Sequence, residues 1–152
     1  LEYSPLPLAG INPVVSQVKQ FYEQFSAATI ARLDEIYTQD VEFRDPVHTI
    51  RGSLRLKGYL RRMATSLSHY RMHYVDEAIG EHSAYLTWEM EYAHARLRGG
   101  QIITLRGMTR LHFTNKVFYH EDSYDLGALL YEHIPGLGLA TRQIKKHMAR
   151  QV

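Results

Sequence analysis

From Tyr70 to Tyr124 the apolar side chains recur at every second position, a period that only extended chain can turn into a buried face. Breaks at 80–82, 99–100 and 114–115 cut this stretch into four long strands joined by short turns, which predicts an antiparallel meander. In the second strand Leu86, Trp88, Met90 and Tyr92 share one side, and Thr87, Glu89 and Glu91 share the other. In the third, Ile103, Leu105, Gly107, Thr109, Leu111 and Phe113 oppose Arg106, Arg110 and His112. Burial selects the apolar sets, and the glutamates and arginines left outside can pair across strands, each pair adding about 0.2–1 kcal/mol.

Such a sheet needs helices to cover its apolar face, and the preceding residues supply them. After Pro13, the spacing of Val14, Val18, Phe21, Tyr22 and Phe25 predicts a helix from about 13 to 27. Ile30, Leu33, Ile36 and Tyr37 continue a helical pattern to about 38, which predicts a second, short helix. Residues 41–45 alternate before Pro46 and predict a short edge strand. Leu54, Leu56, Tyr59, Leu60, Met63 and Leu67 form the stripe of a third helix over 53–68, with its arginines outward.

Beyond the last strand, Leu129, Leu130, Ile134, Leu137, Leu139, Ile144 and Met148 predict a helical segment broken at Pro135-Gly136. It is basic towards its end through Arg142, Lys145, Lys146 and Arg150. Asp125-Leu126-Gly127 reads as a helix start. The expected class is α+β: an N-terminal arm over 1–12, a domain over 13–126 with three helices on a mainly antiparallel sheet, and a C-terminal helical extension over 127–152. The extension needs an apolar partner: a pocket mouth or a dimer interface would serve, and a membrane surface is disfavoured because its cations are few.

Composition removes several classes of function. With 18 Lys+Arg against 16 Asp+Glu the net charge is +2, too small to imply a nucleic-acid partner. The local run of Arg51, Arg55, Lys57, Arg61 and Arg62 reads as a solvated helix face. No apolar stretch approaches the roughly 18 residues of a spanning helix, so no membrane partner is expected. The absence of cysteine excludes thiolate chemistry and suits the reducing cytosol. His69, His73, His94, His112, His133 and His147 show no metal-ligand spacing, and neither a metal nor another cofactor is called for.

The fourth strand is the informative one. Phe118, His120, Asp122 and Tyr124 share one side, while Val117, Tyr119, Glu121 and Ser123 share the other. Grouping Glu121 with the outer charges sends Phe118 and Tyr124 inward and takes His120 and Asp122 with them. Two ionisable groups on a buried face are costly unless paired, hydrated or used. They read either as an acid–base pair or as a structural pair; same-face neighbours lie roughly 6–7 Å apart, so they bond directly only if their side chains lean together. Asp45, before Pro46, reads as a second catalytic carboxylate or as the cap of a turn. Trp88, Met90, Tyr74 and Tyr124 either line a pocket for a flat or bulky apolar ligand or fill the core, and Thr109, Phe21 and Met63 complete the candidate ligand-binding set.

In sequence order, residues 43–47 (Phe-Arg-Asp-Pro-Val), Ile50-Arg51-Gly52 before the third helix, and the run from Lys116 to Asp125 resemble the SnoaL-like branch of the nuclear transport factor two-like superfamily. The resemblance covers roughly 14 to 126 and implies a cone-shaped α+β barrel, often dimeric, with a pocket between sheet and helices. The superfamily includes ketosteroid isomerases, polyketide cyclases, limonene-type epoxide hydrolases and non-catalytic proteins. Asp45 matches the general base of the isomerases, but the Tyr and Asp that stabilise the enolate there fall on Phe21 and Thr109. Tyr22, one residue from Phe21, is turned by about 100° and is expected to point elsewhere. Asp122 matches the final-strand aspartate of the cyclases and epoxide hydrolases, whereas the hydrolases' Arg-x-Asp pair falls on Glu89 and Glu91.

The resemblance implies a small enzyme that moves a proton on a hydrophobic carbonyl or cyclic compound, with Asp122 as base or acid and His120 as its partner, working as a homodimer. The alternative is a non-catalytic ligand-binding or dimerisation module. An open cavity that reaches Asp122 favours the first, and a cavity filled by side chains favours the second.

Overall fold

The computed structural model describes residues 12–126 and 137–150. The expected N-terminal arm up to residue 11, the stretch with Leu129, Leu130 and Ile134, the break at Pro135-Gly136 and Gly127 of the expected helix start lie outside them.

Asn12 starts the first helix by accepting hydrogen bonds from the backbone N–H groups of Val14 and Val15, and Pro13 takes the first position, where no donor is needed. This helix, α1 (Pro13–Glu23), buries Val15, Val18, Phe21 and Tyr22. Ser26 and Thr29 then cap each other reciprocally and open α2 (Ala27–Ala31). The helical pattern expected to run to about 38 ends earlier. A single 3-10 turn, Leu33–Glu35, follows, and Tyr37 already belongs to strand β1 (Tyr37–Arg44). Ile30 of α2, Leu33 of the turn and Ile36 after it are buried as they would be in one helix, so the apolar spacing alone could not separate the two.

Strand β1 is longer than expected and is not an edge. It pairs antiparallel with β2 (Thr49–Arg51) and parallel with the last strand, in a six-stranded sheet ordered β2-β1-β6-β5-β4-β3. The predicted meander supplies the other strands: β3 (Leu67–Ile79), β4 (Ser83–His94), β5 (Ile103–Phe113) and β6 (Val117–Tyr124). Between β2 and β3, α3 (Ser53–Ser66) starts at Gly52, whose φ of 93° favours glycine. It buries Leu56 and Leu60 and leaves its arginines in solvent; Leu54, assigned to the same stripe, is exposed as well.

The alternating faces of β4 and β5 are as expected, with Leu86, Trp88, Tyr92, Ile103, Leu105, Thr109, Leu111 and Phe113 buried. On the outer face Arg106 Nε lies 3.0 Å from Glu89 Oε1. Strand β6 departs at one point. A register shift between His112 and Phe113 of β5 pairs Phe113 with Val117 and His112 with Tyr119, which leaves Phe118 as an extra residue. Val117 therefore points inward, and Phe118, expected inside, stacks on His112 in solvent. Past the bulge the alternation resumes with His120 buried.

The helices and the curled sheet form the mixed α+β fold expected from the pattern, with the cone-like shape that the resemblance implies. Beyond the sheet, α4 (Leu137–Ala149) is tied to it by Lys145 Nζ, 2.9 Å from Asp125 Oδ2, while Leu139, Ile144 and Met148 are exposed. No helix among the described residues is long and apolar enough to cross a membrane.

Candidate active site

Three inward side chains on neighbouring strands meet across two adjacent inward rungs of the sheet. Asp122 of β6 stands opposite Thr109 of β5, and Trp88 of β4 stands opposite Gly107. Gly107 is needed there, because a Cβ would run into the six-membered ring of Trp88. The indole lies in that space and donates Nε1–H to Thr109 Oγ1 at 2.9 Å. Indole can only donate, so the single hydroxyl hydrogen of Thr109 goes to Asp122 Oδ1, 2.6 Å away.

His120, two residues before Asp122, does lean towards it: Nε2 lies 2.8 Å from the same Oδ1. Its Nδ1 is 2.8 Å from the Tyr37 hydroxyl, which is 2.7 Å from the Tyr22 hydroxyl. One assignment gives every hydrogen an acceptor. Tyr22 O–H donates to Tyr37, Tyr37 O–H to His120 Nδ1, and His120 Nε2–H to Asp122. Reversing the chain would leave the Tyr22 hydrogen with no acceptor among the described residues. Burial raises the ionisation of both phenols well above its usual range, so both stay donors. The chain therefore runs in one direction and ends on Oδ1.

The other carboxylate oxygen is different. Asp122 Oδ2 makes no hydrogen bond among the described residues, and the side chain keeps 20% of its surface exposed. It opens into a cavity of about 450 Å³ between α1, α3 and the sheet, walled mostly by apolar groups. A carboxylate held through one oxygen by buried donors, with the second oxygen facing an apolar chamber, is suited to accept a proton from a bound molecule.

Of the residues proposed from sequence, Trp88, Met90, Met63 and Tyr124 border this cavity with Asp122. Thr109 and His120 are buried behind it and hold the carboxylate. Phe21 and Tyr74 stand apart from the lining: Phe21 packs edge-on against Tyr22 and Tyr37, and the Tyr74 ring lies beneath the Lys19 ammonium. Asp45 borders the cavity, but its acceptors are occupied. Oδ1 receives the backbone N–H groups of Val47 and His48, and Oδ2 receives the Tyr59 hydroxyl at 2.8 Å. With its side chain only 4% exposed, it caps the turn after β1 and anchors α3.

Sequence reading missed the tyrosines. Tyr22, expected to point elsewhere, borders the cavity, and Tyr37, expected in a helix, is the link to His120. Tyr59, Tyr70 and Tyr92 also border the cavity, and burial raises the ionisation of all three. The available signal was their place on the inward faces of α3, β3 and β4.

Comparisons with known proteins agree with this architecture. No curated protein matches the sequence. Among solved structures, an NTF2-like protein of unknown function from Burkholderia pseudomallei K96243 superposes with a TM-score of 0.68 at 16% identity, over 83% of this chain and 100% of that one. A proposed SnoaL-like polyketide cyclase from Jannaschia sp. CCS1 gives 0.67 at 12% identity, over 86% and 94%. TerC, co-crystallised with polyporic acid, gives 0.66 at 20% identity, over 78% and 95%. At these identities the likeness is one of fold. The family model for the SnoaL-like domain matches residues 18–120, more than half of the sequence, and the chain belongs to the SnoaL-like family.

Proposed function

We propose that the protein is an enzyme that moves a proton on a hydrophobic carbonyl compound, an isomerase- or cyclase-type reaction with Asp122 as the base. The observation that carries this reading is the unbonded Asp122 Oδ2 at the floor of an open apolar cavity. Oδ2 removes a proton from the carbon next to the carbonyl, and the electron pair moves into the carbonyl to form an enolate. The protonated carboxyl then returns the proton at a second carbon or, in a cyclase, the enolate carbon attacks a second carbonyl of the same molecule and the alkoxide so formed takes the proton back from Asp122.

Tyr124 is placed to hold the enolate oxygen. It lies two residues from Asp122 on the same face, roughly 6–7 Å along the strand, a separation that a C–H and the adjacent carbonyl oxygen can bridge. Burial and then the charges of Asp45 and Asp122 raise its ionisation, which keeps the phenol a donor at neutral pH. His120 acts through Asp122 as a positioning residue: its bond to Oδ1 fixes which oxygen faces the ligand. The homodimer belongs to the same reading, supported by Tyr85, Met108 and Phe118, which leave apolar surface on the outer face of the sheet.

The test is a panel of cyclic aryl ketones incubated with the protein in D2O and followed by proton NMR. Loss of the signal from the carbon beside the carbonyl, faster than in buffer, is the expected result. Saturable binding of those ketones without exchange would leave a ligand-binding module and remove the enzyme.

A further inference from the structure

The cavity has a second end that the proton-transfer chemistry does not use. Asp122 shares a rung with Thr109 and Leu86, whereas Tyr92 lies six residues further along β4, opposite Ile103. At the strand rise this separates the two rungs by roughly 20 Å. Both Asp122 and Tyr92 border the same cavity, with Trp88, Met90 and Leu105 between them. The chamber is therefore elongated, polar at its ends and apolar along its middle.

The tyrosine at the far end is unlike the others. Tyr22 donates to Tyr37, Tyr59 to Asp45 and Tyr70 to the Tyr22 carbonyl oxygen, but the Tyr92 hydroxyl is buried with no partner among the described residues. Tyr92 is only 3% exposed, and an unsatisfied buried hydroxyl is expensive enough to need an explanation. Burial pushes its ionisation up to about 12, so at neutral pH it is a donor that lacks an acceptor among the described residues. Beyond the end of β4, Arg96 borders the same end of the cavity, its backbone N–H held by His94 Nδ1 at 3.0 Å. Its guanidinium makes no ion pair among the described residues. The carboxylates that border the cavity, Asp45 and Asp122, lie at the other end, beside the rung where Arg44 of β1 stands next to Glu121 of β6. The potential thus runs from negative at the Asp122 end to positive at the Arg96 end.

We propose that Tyr92 and Arg96 form a subsite for an anionic oxygen, so that the ligand is an elongated apolar molecule carrying a carboxylate or acidic phenol at the end remote from the carbon that reacts. The inference rests on the reading of Asp122 as the reacting end. Tyr92 supplies the hydrogen bond, Arg96 supplies the charge, and together they set the direction in which the molecule enters. An uncharged ligand of the same shape lacks both interactions.

The experiment uses a matched pair of fluorescent probes, 6-(p-toluidino)naphthalene-2-sulfonate and its sulfonate-free parent, titrated into wild type, Y92F, R96Q and D122N. The sulfonate is expected to bind wild type saturably at one site and to weaken roughly tenfold in Y92F and in R96Q, while the uncharged parent changes less than about twofold. D122N is expected to leave sulfonate affinity intact. Y92F should unfold at the same temperature as wild type or higher, because it removes an unpaired buried hydroxyl, and R96Q alters only an exposed side chain. Wild-type sulfonate affinity in both variants, equal weakening of both probes, or no saturable sulfonate binding would each overturn the subsite. No turnover is involved, so a subsite that behaves as expected beside a failed exchange assay refutes the catalytic reading alone, and the reverse outcome refutes the subsite alone.

Discussion

Replacing Tyr37 by Phe removes one oxygen from the buried chain and leaves the ring packing in place. Two groups then lose their partners: the Tyr22 hydroxyl hydrogen and His120 Nδ1, which Tyr37 holds at 2.7 and 2.8 Å. His120 cannot recover by moving its hydrogen to Nδ1, because Nε2 would then turn a lone pair towards the Asp122 carboxylate. An unsatisfied buried group costs about 1–3 kcal/mol, so Y37F should lose about 3 kcal/mol in total. At roughly 2–4 °C per kcal/mol for a domain of this size, Tm should fall by roughly 6–12 °C. Y22F is the control, because it cuts only the end of the chain and leaves Tyr37 still donating to His120; its cost should stay near about 1 kcal/mol. Urea and thermal unfolding followed by circular dichroism measure both. Equal losses in the two variants, or a loss below about 1 kcal/mol in Y37F, would refute the one-directional chain ending on Asp122.

High pH should unfold the protein steeply. Eight tyrosines, Tyr22, Tyr37, Tyr59, Tyr70, Tyr74, Tyr92, Tyr119 and Tyr124, have their ionisation raised chiefly by burial. The folded values lie above the unfolded ones, so this stability is fully present below about pH 10 and is lost as pH rises further, at up to about 1.4 kcal/mol per tyrosine per pH unit. Tyrosinate absorbance near 295 nm should therefore appear together with loss of circular dichroism; gradual ionisation of a folded protein would contradict the burial. G107A should cost about 2–3 kcal/mol, because its Cβ would strike the Trp88 ring and sit 2.9 Å from the Ser123 carbonyl oxygen. Trp88 is the single tryptophan in the sequence, so a fluorescence shift in G107A reports its displacement directly, and an unchanged spectrum would count against the packing.

The strands were legible because their period of two extends over a dozen residues, and burial then decides the face without ambiguity. That argument also brings His120 and Asp122 inside. It failed for Phe118 because a bulge adds one residue without marking the sequence, and the residues after it keep the original alternation. Tyr37 was hidden for a different reason: one apolar spacing fits both a continued helix and a 3-10 turn leading into a strand. The turn around Asp45 was readable in both of its senses, and the two backbone N–H groups it accepts favour the cap. Tyr92 read as core because its side of β4 is apolar; only the position of its hydroxyl, buried without an acceptor among the described residues, sets it apart from a filling aromatic.

The central claim is that Asp122 is held through Oδ1 and works through Oδ2. Asp122→Asn separates the two roles, since the amide oxygen can keep the bonds from Thr109 and His120 while the NH2 group replaces the free oxygen in the cavity. The measurement is the rate of carbon-bound hydrogen exchange in D2O for a cyclic aryl ketone that wild type exchanges, taken at saturation for wild type and D122N, with Tm recorded for both. The account predicts a fall of at least about 100-fold with Tm within about 3 °C of wild type. Exchange at the wild-type rate in a folded D122N would contradict it and move the chemistry to another residue.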